Sequence, residues 1–176
     1  MLDSNAVLNS YRVQDFLSAE NLDRADATVV EIFKMMFGFE VEVDADSTLG
    51  PSREPNERTA IVGFSGAMRG SCQIRIGLQA AQSIASAMLG GAPVEETSDS
   101  VNDALGELCN MLAGGWKNGI PGLSSECALS PPTVISGRDY MVHVSKPSVK
   151  LTRIYCFSGH TLHLTLCCEG VDTSRD

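Results

Sequence analysis

The chain has 176 residues and a mass of 18.8 kDa, enough for one domain with a substantial core and too little for a second independent one. Hydrophobic residues make up 43% of it and charged residues 20%, the balance of an ordinary globular protein, which excludes a wholly disordered or fibrous chain. A net charge of -9 and a pI near 4.7 oppose any broad phosphate-backbone footprint, so nucleic acid is not an expected partner.

No run approaches the length of a membrane span, and Asp3, Asp15, Glu20, Asp23 and Asp26 interrupt the first thirty residues. Neither a membrane span nor a signal peptide is expected, and a cytoplasmic location follows as an expectation. Six cysteines, Cys72, Cys109, Cys127, Cys156, Cys167 and Cys168, are scattered without a CxxC pair, mostly within apolar runs. Buried free thiols are expected rather than a disulfide framework.

In chain order, residues 1–21 form an N-terminal extension with scattered apolar positions. Residues 25–37 read as a helix stopped by Gly38, with Val29, Ile32, Phe33 and Met36 as its buried stripe. The alternation EVEVD predicts a strand over 40–44, followed by a polar, proline-bearing loop over 47–58. Strands at 59–64 and 71–76 are joined through the glycines at 66 and 70, and a hairpin is the economical arrangement. An alanine-rich helix follows over 79–89, closed by Gly90 and Gly91.

Residues 101–118, VNDALGELCNMLAGGWKN, read as one amphipathic helix that Ser100 or Asn102 can cap. Val101, Ala104, Leu105, Leu108, Met111, Leu112 and Trp116 gather on its apolar side. Asp103, Glu107, Asn110, Gly114 and Lys117 gather on the other, with Gly106 and Ala113 around that polar face. The last third predicts short strands at 126–129, 133–136, 140–144, 149–157 and 161–167, separated by turn signals too short for parallel crossovers. The fold class is therefore α+β, a mostly antiparallel sheet packed by helices. A polar tail covers 171–176.

Several stretches imitate sites without supplying their chemistry. GFSGAMRGS, residues 63–71, lacks the lysine of a phosphate loop and the final glycine of a nucleophile elbow, so a tight turn is the better reading. His160 points to one face of a strand while His163 and Cys167 point to the other, which is no metal-ligand set, and His143 stands alone. Glu107 and Asn110 differ. Three apart on an exposed helix face, they let a carboxylate and a carboxamide address one target together.

DALGELCNMLAG resembles the signature helix of the CheC, CheX and FliY chemotaxis phosphatases, in which an Asp or Ser is followed by Glu four later and Asn three after that. Asp103, Glu107 and Asn110 match position by position. The resemblance runs on through ATVVEIFKMMFG, AIVGFSGAMRGSCQIRI, AAQSIASAMLGG and ALSPPTVISG, over about residues 22–170, which it marks as one CheX-like domain. A single motif copy is most like CheX, because the first helix offers Glu31 but Ala27 and Lys34 where the other two residues belong. The family often reads AGN after the motif, where this chain has Ala113, Gly114 and Gly115.

The resemblance implies hydrolysis of the aspartyl phosphate on a CheY-like receiver domain, within two-component signalling. Glu107 and Asn110 are the implied catalytic residues, Asn110 orienting water and Glu107 gripping the receiver, with Asp103 supporting. It implies no cofactor of the chain's own, Mg²⁺ being held by the partner receiver, and a homodimer built through the sheet. The competing expectation is a noncatalytic receiver-binding or flagellar-switch adaptor of the same fold. A small-molecule sensor is a third, and it requires a deep apolar pocket.

Overall fold

In the computed structural model the described residues are 16–44, 57–138, 140–144 and 147–169, so most of the N-terminal extension, most of the 47–58 loop and the 171–176 tail lie outside them. Helix α1 spans Ala19–Ile32, strand β1 Glu42–Val43, β2 Glu57–Gly66 and β3 Arg69–Gly77. Helix α2 is Leu78–Met88, α3 Asp99–Gly119 and the short α4 Leu123–Glu126. Strands β4 Cys127–Leu129, β5 Thr133–Gly137, β6 Val149–Phe157 and β7 His160–Glu169 complete the order.

All strand pairings are antiparallel, in one 7-stranded sheet ordered β1-β6-β7-β3-β2-β4, with β5 also paired to β2. The predicted α+β class holds. Alternate positions along the central strands, Ala60, Val62 and Phe64, Cys72, Ile74 and Ile76, and Leu162, Leu164 and Leu166, join one buried cluster with the helices. Period-two patterning thus turns one face of the sheet into core. Helix α3 lies in the middle of that layer, contacting α1, α2, β2, β3, β4 and β5.

The first helix stops at Gly38 as expected but starts earlier, and its last turn is of a different kind. It begins at Ala19, where Ser18 accepts the Asn21 amide as a cap, and its last turn, Phe33–Phe37, is a π-helix ending at Gly38 in the left-handed region, φ 71°. The wider turn rotates the stripe. Met36, predicted buried, is 51% exposed, and Phe37 takes the inward place, edge-on to Phe33 at 5.3 Å. Asp26 ties this helix to the sheet: it pairs with Arg153 through both carboxylate oxygens and accepts from the Tyr155 hydroxyl at 2.8 Å. Burial, and then Asp26, push the Tyr155 phenol well above its ordinary pKa.

Three predicted strands change. The first shrinks to Glu42–Val43. The strand expected at 140–144 does not form, because Met141 is 83% and Val142 37% exposed and neither face of that alternation finds a partner. Tyr140 instead donates from its hydroxyl to Thr59 Oγ1 at 2.7 Å, which buries Thr59 on the sheet face that carries no helix. The strand expected at 126–129 starts one residue later, after α4.

Strands β4 and β5 are one broken edge strand. Phe64 lies opposite Leu129 and Ile61 opposite Thr133, so Val62 and Gly63 face Ser130, Pro131 and Pro132, two residues against three. That is a bulge, and two prolines there remove backbone donors. Ser130 restores the pairing: its amide donates to Gly63 O, and its hydroxyl oxygen accepts the Gly63 amide, both at 2.9 Å.

Helix α1 meets α3 at close range. A Cβ on Gly115 would lie 2.4 Å from Thr28 Cγ2, and the Thr28 hydroxyl is committed to Arg24 O at 2.8 Å. Gly115→Ala is therefore expected to destabilise the protein by about 1–3 kcal/mol, despite alanine's better helix propensity. Adding Thr28→Ala should recover most of that loss. Denaturant unfolding followed by the fluorescence of the single tryptophan, Trp116, measures both; a Gly115→Ala protein as stable as the parent would refute the close contact.

Candidate functional site

Helix α3 forms because its apolar residues recur at helical spacing over 21 residues, and because both ends are satisfied. The cap is Ser98, whose hydroxyl oxygen accepts the Ser100 amide at 3.2 Å, rather than Ser100 or Asn102. Asn102 is occupied elsewhere, its Oδ1 accepting from the Ser136 hydroxyl at 3.3 Å. At the other end Lys117 donates to Ser124 O at 3.0 Å and Cys127 O at 2.8 Å, so this predicted polar-face residue works as a clasp on β4.

The helix is buried on more of its circumference than the sequence implied. Val101, Ala104, Leu105, Leu108, Leu112 and Trp116 are buried as expected, while Met111 is only half-buried. Gly106, Cys109 and Ala113 are buried as well. Gly106 was expected beside the polar face. A Cβ on it would meet the Pro132 ring at 3.1 Å, so the bulge covers that flank. A Cβ on Gly114, by contrast, would meet only Leu129 Cδ1, at 3.9 Å.

What remains open is a narrow strip. Asp103 and Glu107 are exposed and Asn110 is half-buried, with Gly114 one turn beyond it on the same stripe. Among the described residues none of these three side chains makes a hydrogen bond or an ion pair. A carboxylate and a neutral carboxamide therefore stand side by side with their whole hydrogen-bonding capacity unspent, the amide able both to donate and to accept. Asp103 lies on the same side one turn earlier and faces solvent too.

The other sequence candidates do not assemble into sites. His160 packs against the Phe157 ring at 5.8 Å. His163 lies opposite Arg75, and burial, with Arg75 beside it, holds its imidazole below the ordinary histidine range. Among the described residues no group of three or more His, Cys, Asp or Glu is placed to hold a metal ion. The expected hairpin forms, its strands joined through residues 67–68, with Gly66 at φ 105°. The crevice between α1 and α3, lined by Thr28, Gly115 and Trp116 among others, has a volume of about 10 Å³, room for one water.

On this geometry, relatives become informative. The sequence model of the family "Chemotaxis phosphatase CheX" matches residues 58–153, more than half of the chain, and its span includes Asp103, Glu107 and Asn110. The chain belongs to the CheX family. The CheY-P phosphatase CheX of Thermotoga maritima is 28% identical over 140 residues, covering 79% of this chain and 90% of that protein. A CheX structure from Vibrio vulnificus superimposes with a TM-score of 0.70 at 22% identity, over 86% of this chain and 97% of the other. The CheX of Borrelia burgdorferi in its complex with CheY, BeF3 and Mg superimposes at 0.61 with 16% identity, over 85% and 97%. The last two likenesses establish the fold. No described helix is long and apolar enough to cross a membrane.

Cysteine chemistry has no place on the open strip of this CheX-family helix. Cys109 precedes Asn110 in sequence yet is fully buried, its thiol directed to Ala60 O and Cys72 O at 3.5 Å. The Cys109 contact and burial push Cys72 well above the ordinary thiol range, and burial pushes Cys168 up to about 12. Ellman's reagent should thus react quickly with one thiol of the native protein, the half-buried Cys156, and with all six after denaturation; a second fast thiol would refute this packing. The same shifts couple folding to pH. These thiols stay protonated when folded and ionise near pH 9 when unfolded, so stability complete below about pH 9 falls as pH climbs toward 12. A flat urea midpoint across that range would contradict the assignment.

Proposed function

We propose that the chain hydrolyses the aspartyl phosphate of a CheY-like receiver domain, Asn110 orienting the attacking water and Glu107 holding the receiver. The observation that carries the reading is the pairing of an exposed Glu107 with a half-buried Asn110, neither with a partner among the described residues. Both side chains are available to another molecule. Family membership supports it, as does the likeness to the CheY-P phosphatase CheX of Thermotoga maritima.

The chemistry suits so sparse a site. An acyl phosphate is already activated, so little is required beyond seating a water in line with phosphorus while charges nearby steady the oxygens. The water oxygen attacks phosphorus, the bond to the aspartate oxygen breaks, and inorganic phosphate leaves beside a regenerated carboxylate. A carboxamide cannot serve as a strong base, but it holds water by accepting from it or donating to it. Glu107 supplies a fixed negative charge for a cationic group of the receiver, the lysine beside the phosphoryl group being the natural one. Asp103, exposed one turn earlier, supports the same contact. Mg²⁺ belongs to the receiver in this scheme, and the protein works in the cytoplasm alongside its substrate. A second copy associates through a sheet edge; light scattering should return twice 18.8 kDa, and a value of 18.8 kDa would remove this element.

A phosphorylated CheY-like receiver should lose phosphate faster with the protein present. Asn110→Ala should lower kcat on the order of 10²-fold with little change in receiver affinity, whereas Glu107→Ala should weaken affinity as well as rate. Binding without acceleration, and substitutions that alter affinity alone, would reverse the conclusion in favour of the adaptor.

A further inference from the structure

We infer that the bulge Ser130-Pro131-Pro132 is a positioning wall for the Asn110 carboxamide, an inference that rests on the phosphatase reading above. Four points tie the broken edge strand to one side of α3. Lys117 reaches Cys127 O at 2.8 Å, and Leu129 is the neighbour facing Gly114. Pro132 faces Gly106, and Ser136 bonds Asn102 at 3.3 Å. The strand residues rise from 127 to 136 while the helix residues fall from 117 to 102. The strand therefore runs antiparallel along the helix. Asn102, Gly106, Asn110 and Gly114 recur every four residues on the flank it follows, and Ser130-Pro131 passes at the level of Asn110.

The direction of helical side chains sharpens this. At χ1 of 180° or −60°, the wells open to a helical residue, a side chain leans back over the i−3 and i−4 positions. For Asn110 these are Glu107 and Gly106. Gly106 has no side chain to occupy the space, and the Pro132 ring lies 3.1 Å from where its Cβ would be; on this inference the carboxamide leans into a notch floored by glycine and walled by proline. Among the described residues Asn110 has no hydrogen bond to fix it. A steric wall is what restricts its rotation, and this wall is stiff: prolines 131 and 132 fix two φ angles, and Ser130 is locked to Gly63 by two bonds of 2.9 Å while donating to Pro131 O at 2.9 Å. Asn110 is half-buried, unlike its exposed neighbour Glu107, which agrees with a covered flank.

The test compares Pro131→Ala/Pro132→Ala, Ser130→Ala and Ser130→Thr with the parent and with Asn110→Ala, each against the same phosphorylated receiver. The double proline variant and Ser130→Ala should lose about tenfold in kcat with KM within twofold, and Ser130→Thr, which keeps the hydroxyl, should retain the parent rate. Unchanged kcat in folded variants, while Asn110→Ala is inactive, overturns the wall and leaves the phosphatase reading standing. An active Asn110→Ala overturns both. Side-chain ¹⁵N relaxation of the parent protein needs no variant: the Asn110 carboxamide should be rigid, and an order parameter below about 0.6 overturns the wall directly.

Discussion

The close approach of α3 to its neighbours at two glycines is the constraint on which the rest depends. At Gly115 the Thr28 side chain of α1 leaves no room for a methyl group, and at Gly106 the Pro132 ring stands at contact. Each glycine costs about 1 kcal/mol of helix propensity relative to alanine. What the cost secures is a helix gripped on three sides, by α1, by the sheet and by the edge bulge, with one strip left open. Any movement of α1 would reach that strip through Thr28, and α1 is itself anchored to β6 by the mostly buried Asp26 and Arg153 pair. In the role proposed for Asn110 a water-orienting amide tolerates little displacement, and for that role a rigid mount matters more than a deep pocket.

How much of this was legible in the sequence follows from which contacts are local. Helix α3, the hairpin of β2 and β3 and strand β6 declare themselves through periodicity and turn chemistry, which are properties of neighbouring residues. The exposure of Glu107 and Asn110 also follows from helical stepping alone. The burial of Gly106 does not, because Pro132 lies far along the chain and only the sheet register brings it there. For the same reason Lys117 reads as a solvated charge until β4 presents its carbonyls. Met36 was misplaced by a different cause: a π turn inserts a residue into the helical count, and a period of 3.6 carries no mark of where that happens. The signal for the covered flank was present in SPP, since two successive prolines cannot donate to an ordinary ladder.

The open strip is also unbalanced in charge. Asp99, Asp103 and Glu107 are exposed along one side of α3, while the one cation of its last turn, Lys117, is turned to backbone carbonyls. Together with the net charge of -9, this gives the strip a negative field that favours a cationic partner surface and disfavours phosphate groups presented without one. A field of that sign acts mainly on encounter and orientation.

That sign explains why the innermost of the three positions is an amide. A carboxylate at position 110 would lie half-buried beside Glu107, losing solvation and suffering repulsion from its neighbour, and it would face the phosphoryl oxygens of a docked substrate with a third like charge. The carboxamide keeps the acceptor geometry of an acid without its charge, and it adds a donor. Charge therefore sits at the outer positions, where water screens it and a cationic partner can meet it. Neutrality sits at the inner one, where the proposed chemistry brings the most negative group of the complex. In the proposed mechanism this arrangement separates attraction of the partner from placement of the water along a single turn of helix, and the proline-bearing bulge is inferred to flank the residue that must not move.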